Sequence, residues 1–349
     1  MDSRGAMNVC ILGAGVVGLT TALELQNQFP NANFTTIAHL FNQQTTSDGA
    51  AGLFYPSSTF YGPSLDITKK WIGDAYSYYD SLRISSDGEN AGVFQYSGFR
   101  LSSSVPSLVR SEYMEDVAPV HRYATEEELQ QFPGKWKYGS YCVTLGIECR
   151  RLLPWALARF QEHGGKVITK KIERFGELAD DYDVIMNCSG LSAEHLCQDR
   201  LMVPIRGQVI KVHAPWVTQF VFSEHDTYII PSGRGRVTLG GCRQFSNYNL
   251  SVSKWDSEKI REECFQLMPK LAIAPELETW VGLRPHRHPV RVEAEVLSIP
   301  NKRGGTLKVV HNYGHGGYGV TTAPGTAKHA VNVFRHLHAR SGGNQLSKL

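Results

Sequence analysis

Val9-Cys10-Ile11-Leu12-Gly13-Ala14-Gly15-Val16-Val17-Gly18-Leu19-Thr20-Thr21-Ala22-Leu23 is the stretch whose reading decides the fold. A short apolar run ends in glycines spaced G-x-G-x-x-G and passes directly into a helix-compatible pattern. Strand, tight turn and helix in that order are what the pyrophosphate of a dinucleotide needs. Gly13 lets the chain leave the strand, and Gly15 has no side chain to hold a phosphate off the backbone. Gly18 lets helix and strand pack closely. The helix N-terminus then offers free N–H groups and a positive dipole end to the anion. Gly13, Ala14, Gly15, Val16, Val17 and Gly18 therefore form the first candidate binding site.

The chain around this motif has 349 residues, enough for two domains or one large one. Hydrophobic residues make up 42% and charged residues 20%, with a net charge of +3 from interspersed acids and bases. That balance gives no reason to expect a nucleic-acid or anionic-membrane partner. No apolar run reaches the roughly 18 residues of a transmembrane helix, and the apolar N-terminal run lacks a cleavage-site pattern. The seven cysteines are scattered and never spaced CxxC, which argues against a disulfide framework or a zinc site. His286-Arg287-His288, with His311 and His315, fits no helical ligand pair and has no accompanying acids, so no metal is expected. The chain ends in Ser347-Lys348-Leu349, the tripeptide read by the peroxisomal import receptor, and a peroxisomal matrix location is the expectation.

Further along, Phe34 to Ala38 reads as the second strand of a βαβ unit. Ala38 and His39 stand where an acid gripping the ribose is usually found; either His39 replaces it or backbone groups hold the ribose. Thr45-Thr46-Ser47-Asp48-Gly49-Ala50-Ala51-Gly52-Leu53 is rich in hydroxyls and small residues, which suits close approach to a flat ring system. From Tyr61 to about Gly139 aromatics cluster and short strand-like runs alternate with charged turns. Leu152 to His163 has helical periodicity, Lys166 to Thr169 and Asp183 to Gly190 read as strands, and the nucleotide domain resumes there. Pro204 to Leu283 reads as antiparallel sheet covered by a helix from Asp256 to Leu267. Leu307 to His311 is a strand entering a second glycine-rich turn, His315-Gly316-Gly317-Tyr318-Gly319, before a helix from about Gly325 to His338.

The predicted fold class is accordingly α/β. A Rossmann-like nucleotide domain is assembled from 7–60, 141–200 and 285–340. An α+β substrate domain dominated by antiparallel sheet comes from 61–140 and 201–284, and 341–349 forms a tail.

Taken together, the motifs resemble the D-amino-acid oxidase family of flavoproteins over essentially the whole chain. The landmarks are the Gly13–Gly18 turn, Thr45-Thr46-Ser47-Asp48 with Ala50-Ala51-Gly52, Asn187-Cys188-Ser189-Gly190 and Arg206-Gly207-Gln208. They continue with Tyr228-Ile229-Ile230-Pro231, Val237-Thr238-Leu239-Gly240-Gly241, Gly282-Leu283-Arg284-Pro285 and His311 to Gly319. The resemblance implies noncovalent FAD and oxidative deamination of D-amino acids by molecular oxygen, giving a 2-oxo acid, ammonia and hydrogen peroxide. It places Ala38, His39, Thr45, Thr46, Ser47, Gly52, Leu53, Ile172, Gly316, Gly317, Gly319, Val320 and Thr321 at the cofactor beside the first turn. Arg284 is implied as the anchor of the substrate α-carboxylate, Tyr228 as a second donor to it, and Gly317 as a further contact. The oligomeric state stays open, with a homodimer among the alternatives.

Arg243 sharpens the substrate reading. Members of the family acting on neutral D-amino acids tend to have an apolar residue there, whereas the branch acting on acidic substrates is similar to this chain in carrying Arg. Two arginines facing one cavity repel unless a dicarboxylate bridges them, so Arg284 with Arg243 suits D-aspartate, D-glutamate or N-methyl-D-aspartate. The alternatives are action on neutral D-amino acids, favoured by an apolar lid at Phe222, or a catalytically silent nucleotide-binding protein of the same fold.

Overall fold

The computed structural model describes residues 6–300 and 306–343. Ser347-Lys348-Leu349 lies outside the described residues. Among those described, fourteen strands join one sheet. In chain order the first seven are β1 (Asn8–Leu12), β2 (Asn33–Ala38), β3 (Val93–Ser102), β4 (Val120–Tyr123), β5 (Tyr138–Ile147), β6 (Lys166–Thr169) and β7 (Val184–Asn187). The rest are β8 (Val203–His213), β9 (Phe220–Phe222), β10 (Tyr228–Pro231), β11 (Arg236–Gly240), β12 (Gln244–Phe245), β13 (Glu276–Pro300) and β14 (Thr306–His315). Their spatial order is β4-β5-β3-β9-β10-β11-β8-β13-β14-β7-β1-β2-β6, with β12 alongside β8.

One wing of this sheet is parallel. β1 lies between β2 and β7 with Val9 opposite Phe34 and Val184, while β14 and β6 extend it on either side. Helices cover it, which is why β1 is apolar at almost every position and why Val9, Cys10 and Ile11 have no solvent exposure. The first helix, Val16–Gln28, packs against the helices Cys149–Glu162 and Gly319–Gly343. Val9, Ile11, Leu19, Leu25, Phe160 and Phe334 meet in that core. The other wing is mostly antiparallel and has its own core, in which Ile210, Val212 and Leu239 meet Ile260, Cys264 and Leu267 of the helix Lys254–Leu267.

Two of the expected boundaries fall inside strands, and one helix was not anticipated. The boundary at 140/141 cuts through β5, which pairs continuously with β3 from Val93↔Ile147 to Ser102↔Tyr138, so 141–147 belongs to the antiparallel wing. The boundary at 284/285 falls inside β13, whose earlier part pairs with β8 and whose later part pairs with β14. The unanticipated helix is Leu65–Ile84, capped by Ser64 Oγ accepting from the Ile67 N–H at 3.3 Å, where the sequence reading registered only clustered aromatics. It packs mainly on the C-terminal helix and also touches β3 and β5 of the antiparallel wing. Trp71 Nε1 donates to His329 Nδ1 at 2.8 Å, and the Tyr79 hydroxyl donates to the Val320 carbonyl at 2.7 Å. Burying Trp71 and Tyr79 against helical neighbours outweighs the strand propensity of the surrounding aromatics.

Candidate active site

The first glycine turn opens where β1 ends. Gly13 has φ +113° and donates its N–H to the Ile37 carbonyl at 2.9 Å; a Cβ there would lie 2.4 Å from the Cys188 carbonyl oxygen. A Cβ on Gly18 would lie 2.0 Å from the Gly13 carbonyl oxygen, so the turn closes only with glycine at both positions. No side chain of the N-cap residue, Gly15, can cap the helix that follows. The Val16 N–H reaches Ser47 Oγ at 3.1 Å, which ties the hydroxyl-rich loop to the same helix end.

From this turn a single cavity of about 1870 Å³ runs to the antiparallel wing. Gly13, Ala14, Gly15, Val16 and Val17 line it, as do Ala38, His39, Thr45, Thr46, Ser47, Gly52, Leu53 and Ile172. Gly316, Gly317, Gly319, Val320 and Thr321 close it from the second glycine turn. Of the cofactor candidates only Gly18 stands behind the wall. At the end of β2 the Ala38 carbonyl accepts from the Lys170 N–H at 3.0 Å, His39 is exposed, and Glu173 is a carboxylate lining the same cavity.

An ion cluster that the sequence reading did not register anchors the loop from Thr45 to Leu53. Asp48, almost fully buried, pairs with Arg150 at 2.5 Å, and Arg150 also reaches Glu278 at 3.2 Å. Lys211 Nζ donates to the Asp48 carbonyl at 3.3 Å and lies 3.4 Å from Glu278; burial pushes its pKa down. A lysine inside the apolar run of β8 was the available signal, because a buried ammonium requires partners.

At the far end of the cavity, two strands each present a functional side chain over a glycine. Arg284 on β13 lies across Gly207 of β8, where a Cβ would fall 2.2 Å from Nη1, and Nη1 donates to the Cys242 carbonyl at 3.1 Å. Tyr228 on β10 sits opposite Gly240 of β11, where a Cβ would fall 2.1 Å from the ring. Phe222 stacks on the Tyr228 ring with centroids 5.5 Å apart and planes at 22°. Burial pushes the Tyr228 hydroxyl pKa up, partly opposed by the Arg284 charge, so at neutral pH the phenol keeps its proton and can donate it in a hydrogen bond.

Arg243 lines the same cavity as Arg284 but has a carboxylate partner already. Its Nη2 lies 2.8 Å from Asp226 Oδ1, and its side chain is 37% exposed. Arg100, absent from the sequence reading, also faces the cavity. Among the described residues no group of side chains could hold a metal ion, and no helix is long and apolar enough to cross a membrane.

The cavity fits FAD. It exceeds the roughly 300–1,000 Å³ of an ordinary small-ligand pocket, its glycine turn leaves no room for a Cβ, and it begins at a helix end whose N-cap is glycine. A dinucleotide turn sharing one cavity with an Arg–Tyr pair on an antiparallel sheet defines the class: a flavin-dependent oxidoreductase. The family model for FAD dependent oxidoreductases of the DAO type matches residues 8–333, and the chain belongs to that family, with FAD as its cofactor. It is 37% identical to the D-aspartate oxidase of Homo sapiens over 333 residues, covering 95% of this chain and 96% of that one. It is 31% identical to the D-amino acid oxidase of Dugesia ryukyuensis, covering 92% and 96%. Glycine oxidase from Bacillus cereus shares the fold with a TM-score of 0.75 at 17% identity, covering 95% of each chain.

Proposed function

We propose that this protein binds FAD noncovalently and oxidatively deaminates acidic D-amino acids, as a D-aspartate oxidase acting on D-aspartate, D-glutamate or N-methyl-D-aspartate. The observation carrying this reading is the Arg284–Tyr228 pair, seated over Gly207 and Gly240 in the cavity that begins at the dinucleotide turn. A guanidinium fork and a protonated phenol are suited to one carboxylate, and fixing that carboxylate orients the Cα–H. FAD held at the dinucleotide turn would supply the two-electron oxidation, in which the Cα hydrogen leaves with both electrons, the amine loses a proton, and oxygen takes up two electrons and two protons as hydrogen peroxide. Water then hydrolyses the released imine to 2-oxo acid and ammonia. The acidic preference rests on the arginines of the substrate end and on the likeness to a D-aspartate oxidase. The Ser347-Lys348-Leu349 ending adds import into the peroxisome through its receptor.

A neutral-substrate D-amino-acid oxidase is the second reading, favoured by Asp226 beside Arg243 and by the apolar Phe222 next to Tyr228. Peroxide release by the FAD-supplemented protein, with D-Asp, D-Glu, D-Ala and L-Asp side by side, separates the two. Peroxide from the acidic D-enantiomers supports the first reading. Peroxide chiefly from D-Ala moves the assignment to the second, and none from any D-amino acid removes both.

A further inference from the structure

The substrate end holds a guanidinium whose electrostatic situation differs from those of Arg284 and Arg243. Arg100 lies on β3, between Ser140 of β5 and Phe222 of β9, and its half-buried side chain lines the cavity. The guanidinium carbon stands 5.2 Å from the centre of the Tyr55 ring and 5.0 Å from that of Phe222. Phe222 is the ring that stacks on Tyr228, so Arg100 and the carboxylate clamp share an aromatic neighbour. Among the described residues Arg100 forms no ion pair. The polar group beside it, the neutral Tyr55 hydroxyl, cannot occupy the five donors of a guanidinium.

Two rings flank this cation, and a carboxylate on the neighbouring segment is engaged elsewhere. Glu224, two residues after Phe222, is clasped by serines. Its oxygens accept from Ser102 Oγ at 3.0 Å, the Ser103 N–H at 3.0 Å and Ser104 Oγ at 2.8 Å, as well as from Ser103 Oγ. Ser102 ends β3 and Ser103 and Ser104 follow it, so the same clasp binds the strand carrying Arg100 to the segment carrying Phe222. Arg243, by contrast, has Asp226 at 2.8 Å, and that carboxylate offsets its field toward the cavity. A preset cation over two rings, facing a cavity and without a counter-charge, is a carboxylate receptor.

We propose that Arg100, rather than Arg243, receives the side-chain carboxylate of an acidic D-amino acid whose α-carboxylate is held by Arg284 and Tyr228. This rests on the reading of the cavity as an amino-acid oxidase site. Succinate is aspartate without its amine, and propionate is alanine without its amine, so the pair isolates the second carboxylate. The test is calorimetric binding of both acids to the full-length, FAD-loaded enzyme and to its R100Q, R100K and R243Q variants.

The native enzyme should bind succinate at least about tenfold more tightly than propionate, and R100Q should erase that advantage while propionate stays within about threefold. R100K should keep part of the advantage, and R243Q most of it. Retention of the succinate advantage by R100Q overturns the assignment while leaving the acidic-substrate reading intact. Equal loss of both acids in R100Q, unrepaired in R100K, shows that Arg100 only supports the shape of the site, and also overturns it. A native enzyme with no succinate advantage defeats the acidic reading itself, and the role of Arg100 with it.

Discussion

The two ends of the cavity are built from different materials. At the nucleotide end the working groups are backbone: a glycine turn, a helix start with glycine at its N-cap and a loop held by Ser47 and Asp48. At the substrate end they are side chains, and the backbone contributes empty space, with Gly207 beneath Arg284 and Gly240 beneath Tyr228. A backbone site is specified by a few adjacent residues. A side-chain site must be collected from β3, β8, β10, β11 and β13, strands that meet only after folding. Damage at one end should therefore read out differently from damage at the other.

The largest effect expected is at the nucleotide end. Gly13→Val places side-chain atoms against the Cys188 carbonyl at a positive φ. FAD affinity should fall by at least about a hundredfold, and the protein should purify without its flavin absorbance. Full retention of flavin by this variant would break the contrast, because the turn would then be dispensable.

The second prediction concerns the strand end that leads into the second glycine turn. Burial holds the His315 pKa down to about 3 and that of His311 to about 4, so both imidazoles stay neutral in the folded chain. A depressed histidine pKa means that the unfolded chain binds more protons below about pH 6.5, so stability falls on acidification. Between pH 7 and pH 5 each histidine should remove about 2 kcal/mol. His315→Gln keeps a donor to Thr326 Oγ1, now 2.8 Å from Nε2, without a titrating ring. Denaturant unfolding at the two pH values should show a correspondingly weaker acid loss in the variant; an unchanged loss would assign the acid sensitivity elsewhere.

The smallest of the three changes sharpens the contrast most. Gly207→Ala pushes against the Arg284 guanidinium and touches nothing at the nucleotide end. It should raise KM for the amino acid about tenfold with FAD content unchanged. Parallel loss of flavin would mean that the ends are coupled more tightly than their construction implies.

What was legible in the sequence follows the same division. The Gly13–Gly18 turn could be read directly, because phosphate binding demands glycine at fixed spacing. Arg284 and Tyr228 came from family resemblance rather than pattern, since an arginine before a proline and a tyrosine starting a strand are ordinary. Arg100 was invisible because a charged residue in an alternating strand reads as solvent-facing until β9 is known to lie beside β3. Arg243 was legible as a residue but not as half of an ion pair, because Asp226 stands 17 positions away. The helix Leu65–Ile84 carried a helical signal in Trp71, Ile72, Ala75 and Tyr79, which strand-favouring aromatics concealed. The boundary set inside β13 has a plainer reason: a strand that serves both wings leaves no linker to find.

β13 carries a last consequence. Arg284 and the partners of β14 lie on one strand, with a register shift between His286 and Arg291, and the dinucleotide turn and the Arg284–Tyr228 pair belong to the same sheet. A molecule made this way resembles a gauge with fixed jaws more than a hinged clamp. The spacing between cofactor and substrate is cut into the lattice, so new substrates are accommodated by exchanging the side chains that hang into the gap, while the gap itself stays the same width.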